Sequence, residues 1–152
     1  MKFNSFRLFF LCLFAGIAVS CKVMLIGAYD QVTDQGIQKI QTDVSQLIIT
    51  LKKNLLNNKV SANEYSNFDK TYSSIEGEVE SLNIRCKALP KYSQVVGELN
   101  ALNGNVVLLE KLHKIDDFKV LRDTAVLNTT LSTLEVQFTA MVTLQNALKA
   151  EK

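Results

Sequence analysis

From Tyr65 to Leu89 an apolar side chain recurs every third or fourth residue: Tyr65, Phe68, Tyr72, Ile75, Val79, Leu82, Cys86 and Leu89. That spacing is the seam of a helix packed on other helices, and no polar residue breaks it. Pro90, the one proline of the chain, follows at once and ends the run. Ser61 and Glu64 have the spacing of a capping box, in which serine and glutamate satisfy early backbone N–H groups reciprocally, so the periodicity predicts a helix over 62–89.

The same rule finds three partners for it. Ile37, Ile40, Val44, Leu47, Ile48, Leu51 and Leu55 share a face of a helix over 33–57, which Asn57, Asn58 and Lys59 turn off. Tyr92, Val95, Leu99, Leu102, Val106 and Leu109, with His113 at the next seam position, mark a third over 92–112. Lys114 to Asp117 read as a loop, and Asp116 or Asp117 as the cap of the next helix. This fourth helix, over 118–150, repeats Val120, Leu127, Leu134, Met141 and Leu148 by sevens, with Thr124, Leu131, Phe138 and Gln145 between them. No stretch alternates at period two for long, so the class is all-α. Short connections favour an antiparallel up-down-up-down four-helix bundle; the other arrangement, one long coiled coil, is opposed by Pro90.

Ahead of the bundle stands an address. Lys2 and Arg7 make a small positive region, and Leu8 to Val19 is an apolar run of about a dozen residues, shorter than the ~20 that span a membrane. Lys22 follows it directly and argues against an uncleaved anchor. The run ends in Ala18-Val19-Ser20-Cys21, which resembles the lipobox of bacterial lipoproteins, departing from it in having Ala18 where that family usually has leucine. The resemblance implies cleavage after a signal peptide at 1–20. It also implies a covalent diacylglycerol lipid with acyl chains such as palmitate on Cys21, and no other cofactor. Lys22, not being aspartate, resembles the outer-membrane sorting signal of such lipoproteins in a Gram-negative host. Ala18 and Ser20 also satisfy general signal peptidase, which would cut at the same bond and leave a bare thiol; a Cys21–Cys86 disulfide is then open. Either way the chain is read as exported to the cell envelope.

Residues 21–32 read as the modified N-terminus and a short tether, with Met24, Leu25 and Ile26 entering the lipid interface or packing on the bundle. The opening Tyr29-Asp30-x-x-Thr33-Asp34, before the single domain 33–152, is similar to that of small bacterial lipoproteins without an assigned function. Lys2 and Arg7 leave with the signal, so the precursor's net charge of +2 falls to zero. A neutral body argues against nucleic acid as a partner.

The chemistry-bearing residues are few. His113 is the only histidine and forms, with Glu110, one E-x-x-H pair, where a di-iron bundle needs two such pairs and two further inward glutamates. His113 is expected at a helix-end surface or an interface, and Cys86 as a small buried side chain. No serine–histidine–carboxylate grouping and no phosphate-cradling glycine loop is recognisable, so the chain is read as no enzyme, with no metal. Asn128-Thr129-Thr130 matches a glycosylation sequon too common to decide anything.

Two surfaces remain. If the first helix leaves the membrane, the distal tip gathers Lys52, Lys53, Lys59, Lys111, His113, Lys114 and Lys119, diluted by Glu110, Asp116 and Asp117; Lys52, Lys53, Lys59 and Lys114 are the candidate partner-docking residues. Apolar excess at Val107, Leu108, Val136, Val142 and Leu144 reads as a wider core stripe or as a dimer or partner face. The expected function is a membrane-anchored, non-catalytic envelope lipoprotein. It would bind the lipid bilayer through its anchor and a protein partner through its body, with a homo-oligomer also open. The alternative is a periplasmic helical carrier or chaperone with an apolar cavity between its helices.

Overall fold

The computed structural model describes residues 27–120 and 123–150. Among these the chain is all-helical: α1 is Gln31–Leu56, α2 Asp69–Ala88, α3 Ser93–Asp116 and α4 Asp123–Ala150, with short 3-10 turns at Val60–Asn63 and Tyr65–Asn67. None of these helices is long and apolar enough to cross a membrane.

α1 starts two residues before its first expected position because its cap lies outside the apolar pattern. The Asp30 carboxylate accepts the Thr33 N–H at 2.9 Å and the Thr33 hydroxyl at 2.7 Å, satisfying an N–H that the helix itself cannot. Gly27–Asp30, expected in a tether, lie on the body: Gly27 N–H donates to the Lys91 carbonyl, and the Tyr92 hydroxyl donates to the Ala28 carbonyl at 2.7 Å.

The capping box does not form. α2 begins at Asp69, seven residues later than expected, and Ser61 and Glu64 sit in and beside 3-10 turns. The polar groups of this stretch are taken up by distant partners instead. Asn63 is fully buried, donating to the Leu51 carbonyl at 3.0 Å and accepting from Asn54 at 2.8 Å. The Tyr65 N–H, which a box would leave inside a helix, donates to the Asp117 carboxylate at 2.8 Å. Several tertiary hydrogen bonds outweigh one local cap worth about 1 kcal/mol.

α3 runs on through Lys114–Asp116, expected as a loop, and stops where Asp117 and Phe118 both turn left-handed, with φ of 58° and 47°. That conformation costs a phenylalanine about 1 kcal/mol or more, and burial of its ring, 2% exposed, offsets the cost. Residues 118–120 therefore precede α4 rather than belong to it. Val120 is 45% exposed and leaves the seam, while its N–H is held by the Asp123 carboxylate at 2.9 Å.

Each helix packs on two neighbours, α1 on α2 and α4, and α3 on α2 and α4. The core holds the seam residues of all four, from Ile37 to Leu148. Val142 and Leu144 pack against it as a widened stripe, whereas Leu108 and Val136 face outward. Gln145 is the polar member of the α4 seam, buried with both amide atoms lacking a hydrogen-bond partner.

Candidate functional site

His113 lies in the last turns of α3 and is fully buried, which corrects its expected place at a surface. Its Nε2 is 2.6 Å from the Asn63 carbonyl, which can only accept, so Nε2 carries the proton. Nδ1 is then the acceptor for the Tyr72 hydroxyl at 3.0 Å. Phe118 stacks on the ring at 5.0 Å between centroids, with Phe68 and the edge of Tyr65 within 5.7 Å. Desolvation pushes the imidazole pKa down, against the Asn63 carbonyl and the nearby Asp117, Asp116 and Glu110, which push it up. Burial likewise pushes the Tyr72 hydroxyl far up. Neutral, tautomerically fixed and saturated on both nitrogens, His113 pins α3 to α2 and to the 57–68 crossover.

The rest of the E-x-x-H pair is occupied too. Glu110 accepts the Tyr65 hydroxyl at 2.6 Å and the Lys114 ammonium at 3.0 Å, both of which hold its pKa low. The Lys114 ammonium also lies 4.7 Å from the Tyr65 ring centroid. Asp117 takes Lys119 at 2.6 Å besides the Tyr65 N–H. Of the four expected docking cations, Lys114 is thus built into the fold. Lys53 and Lys59 are exposed and Lys52 half-buried, around the end of α1. The Lys59 N–H is bonded to the Asn54 carbonyl, which holds it there. The bonds from Asn63 bring the end of α1 and the end of α3 into one neighbourhood.

A second cluster gathers around the start of α1. Arg85 donates twice to Asp30, from Nε and Nη2 at 2.8 Å each, and holds its carboxyl well below the usual range. The Tyr29 hydroxyl donates to Asp34 at 2.9 Å, and Lys149 lies over the Tyr29 ring. Cys86 is buried with its sulfur 3.6 Å from the Thr33 hydroxyl, and burial pushes the thiol up, away from reactive thiolate. Gly27 is indispensable to the close approach here: a Cβ on it would lie 2.7 Å from the Pro90 carbonyl oxygen and clash with the edge of the Tyr92 ring.

Clefts of about 500 and 590 Å³ run between α1 and α2, floored by Leu47, Ile75, Ile40 and Leu82. Lys39, paired with Asp43 and Glu78, borders both. Between α3 and α4 lies a smaller groove of about 200 Å³. Among the described residues no three His, Cys, Asp or Glu side chains gather as an ion site would require. Ala18, Val19, Ser20 and Cys21, with Met24, Leu25 and Ile26, lie outside the described residues, and so does any pairing of Cys21 with Cys86. No known family, no curated protein and no solved structure matches the chain.

Proposed function

We propose that the chain is a non-catalytic lipoprotein of the bacterial cell envelope, anchored by a lipid on Cys21, whose helical body is a binding or scaffolding module. The observation that carries this reading is the docking of Gly27–Asp30 on the body. Cys21 stands six residues before Gly27, so the chain can separate them by no more than about 20 Å. A lipid there would hold the body against its bilayer. A weak contact with a protein partner would then become effectively intramolecular.

The body is read as an up-down-up-down antiparallel bundle. As α1 advances from Asp30 to Lys39, its α2 partners retreat from Arg85 to Glu78. As α2 advances from Tyr72 to Asn83, its α3 partners retreat from His113 to Asn100. In that arrangement the N-terminal cluster is the membrane-proximal base and the His113 cluster the distal tip. Lys52, Lys53 and Lys59, free of the pairings that consume Lys114, remain there for an acidic partner. A binding role rather than catalysis is supported by the commitment of both His113 nitrogens to Tyr72 and Asn63.

The test is the mass of the mature N-terminus in a lipoprotein-processing bacterium, beside Cys21→Ala. The expected result is a lipid-modified cysteine at the start of the wild type, a membrane-fraction protein, and release of the variant into the soluble fraction. An unmodified Cys21 in a soluble wild type overturns the reading.

A further inference from the structure

Charge is distributed unevenly over the four helices. α1 and α2 carry twelve charged residues; α3 and α4 carry eight, six of them at Glu110, Lys111, Lys114, Asp116, Asp123 and Lys149, at or near the helix ends. The stretches 93–109 of α3 and 124–148 of α4 carry two, Glu98 and Glu135. These two helices are neighbours, so the charge-poor stretches form one side of the molecule. Exposed protein surface is ordinarily about a quarter or more charged, and depletion of charge is what marks the centre of a protein interface.

The outward face of α4 has a second heptad pattern, separate from its core seam: Val126, Thr129, Thr133, Val136, Ala140 and Thr143, all exposed or half-buried. Val136 is 73% exposed. Thr129 and Thr133 donate their hydroxyls back to the Ala125 and Thr129 carbonyls at 3.0 Å, which turns their methyl groups outward. The face is therefore more apolar than its composition suggests. Thr129 and Thr133 also line the α3–α4 groove, whose far wall has the exposed Leu108. Gly97 and Ala101 continue that wall without charge, beside the half-buried Glu98. Glu135 is off the face: it stands one heptad before Val142, which borders the groove toward α1.

We propose that this α3–α4 face pairs with the same face of a second copy of the chain, α4 against α4 across a twofold axis. Its one charge is Glu98, half-buried one heptad before Asn105 of the groove, so it offers little for an acidic, basic or nucleic-acid partner to read, and it meets itself with little like-charge repulsion. Unlike helices that lie in a lipid surface, it has no lysine or arginine within 93–109 and 124–148, where the one aromatic, Phe138, is buried in the core. Its dimensions suffice. Val126 to Ala147 rises about 32 Å, and two helices side by side span about 20 Å. That is roughly 600 Å² per copy, or about 1,200 Å² in the pair, the lower bound for a specific interface. A 3-4 repeat packs on its own copy as knobs into holes, with Val136 the most protruding knob.

The test uses the full chain purified in mild detergent, with mass measured by size exclusion and light scattering across concentration. The expected wild-type mass is two chains. Val136→Glu, at a well-solvated position, should keep the helical circular dichroism of the wild type and raise the dimer dissociation constant at least tenfold. Val136→Cys should oxidise to a covalent dimer, whereas Ile49→Cys, on the exposed side of α1, and the wild type should not. A monomeric wild type at about 100 μM overturns the proposal, as does Val136→Glu with unaltered dimerisation or equal crosslinking through Ile49→Cys. Pairing is independent of the anchor, so the Cys21→Ala chain should dimerise as the wild type does.

Discussion

The two side-chain clusters fasten the bundle in opposite ways. Around His113 the fastening is neutral and dry, an imidazole buried among Tyr72, Phe68 and Phe118 with its hydrogen bonds made to a hydroxyl and a carbonyl. Around Asp30 it is charged and wet: the Arg85 side chain is 41% exposed, and the Gly27 backbone approaches the Tyr92 ring and the Pro90 carbonyl too closely for a side chain. Burial decides what each is worth. A dry, saturated group can be removed only by leaving its partners unpaired, while a solvated ion pair gives way to water at little cost.

The largest effect should therefore come from His113. His113→Ala opens a cavity and strands the Tyr72 hydroxyl and the Asn63 carbonyl, for a loss of about 3–4 kcal/mol in denaturant unfolding. His113→Gln keeps one donor and one acceptor and should lose less than half of that. The same pair of variants reads the titration. The folded imidazole has its pKa pushed down, so the unfolded chain binds the additional proton. Stability is then complete above about pH 6.5 and declines as pH falls below it. That slope should disappear in His113→Gln. A wild type equally stable at pH 7 and pH 5.5 would show that the ring is not held neutral.

Next is Gly27→Ala. The added methyl meets the Pro90 carbonyl, which cannot swing away as a side chain could. The segment should lift, losing the Gly27–Lys91 and Tyr92–Ala28 hydrogen bonds, for about 1–2 kcal/mol. Faster amide exchange confined to the residues around Ala28 and Tyr92 would distinguish lifting from global loosening. If the melting curve and exchange are both unchanged, the close approach is not part of the fold.

How far these fastenings can be read from sequence depends on the distance between the groups that make them. The seams are legible because each is local: Ile37 to Leu55 in α1 and Tyr92 to Leu109 in α3 are buried as their spacing requires. His113 stands at a seam position, yet the partners that allow its burial are 41 and 50 residues away. The Ser61–Glu64 signal is locally sound and loses to Leu51, Phe118 and Asp117, which no periodicity brings to Asn63 and Tyr65. Asp30 escapes notice as a cap because apolar residues mark the helix starts, and the cap precedes the first of them by seven positions. The charge-poor side can be read from Thr124–Leu148 alone, but only the adjacency of α3 and α4 makes it a face.

The smallest expected effect separates the two functions of Asp30. It caps α1 through Thr33 and pairs with Arg85. Asp30→Asn retains a good capping side chain while ending the ion pair, so its cost at pH 7 should be about 0.5 kcal/mol. Asp30→Ala removes the cap as well and should cost about 1 kcal/mol more. The folded carboxyl is held low by Arg85 and by the Thr33 groups, so its contribution is present above about pH 4 and is lost as pH falls toward the folded pKa. Melting temperatures of wild type and Asp30→Asn should therefore converge at the most acid pH the fold withstands. If instead the two remain apart there, the Arg85 pairing is not the interaction that Asp30 supplies, and the difference from the His113 cluster must be sought in packing alone.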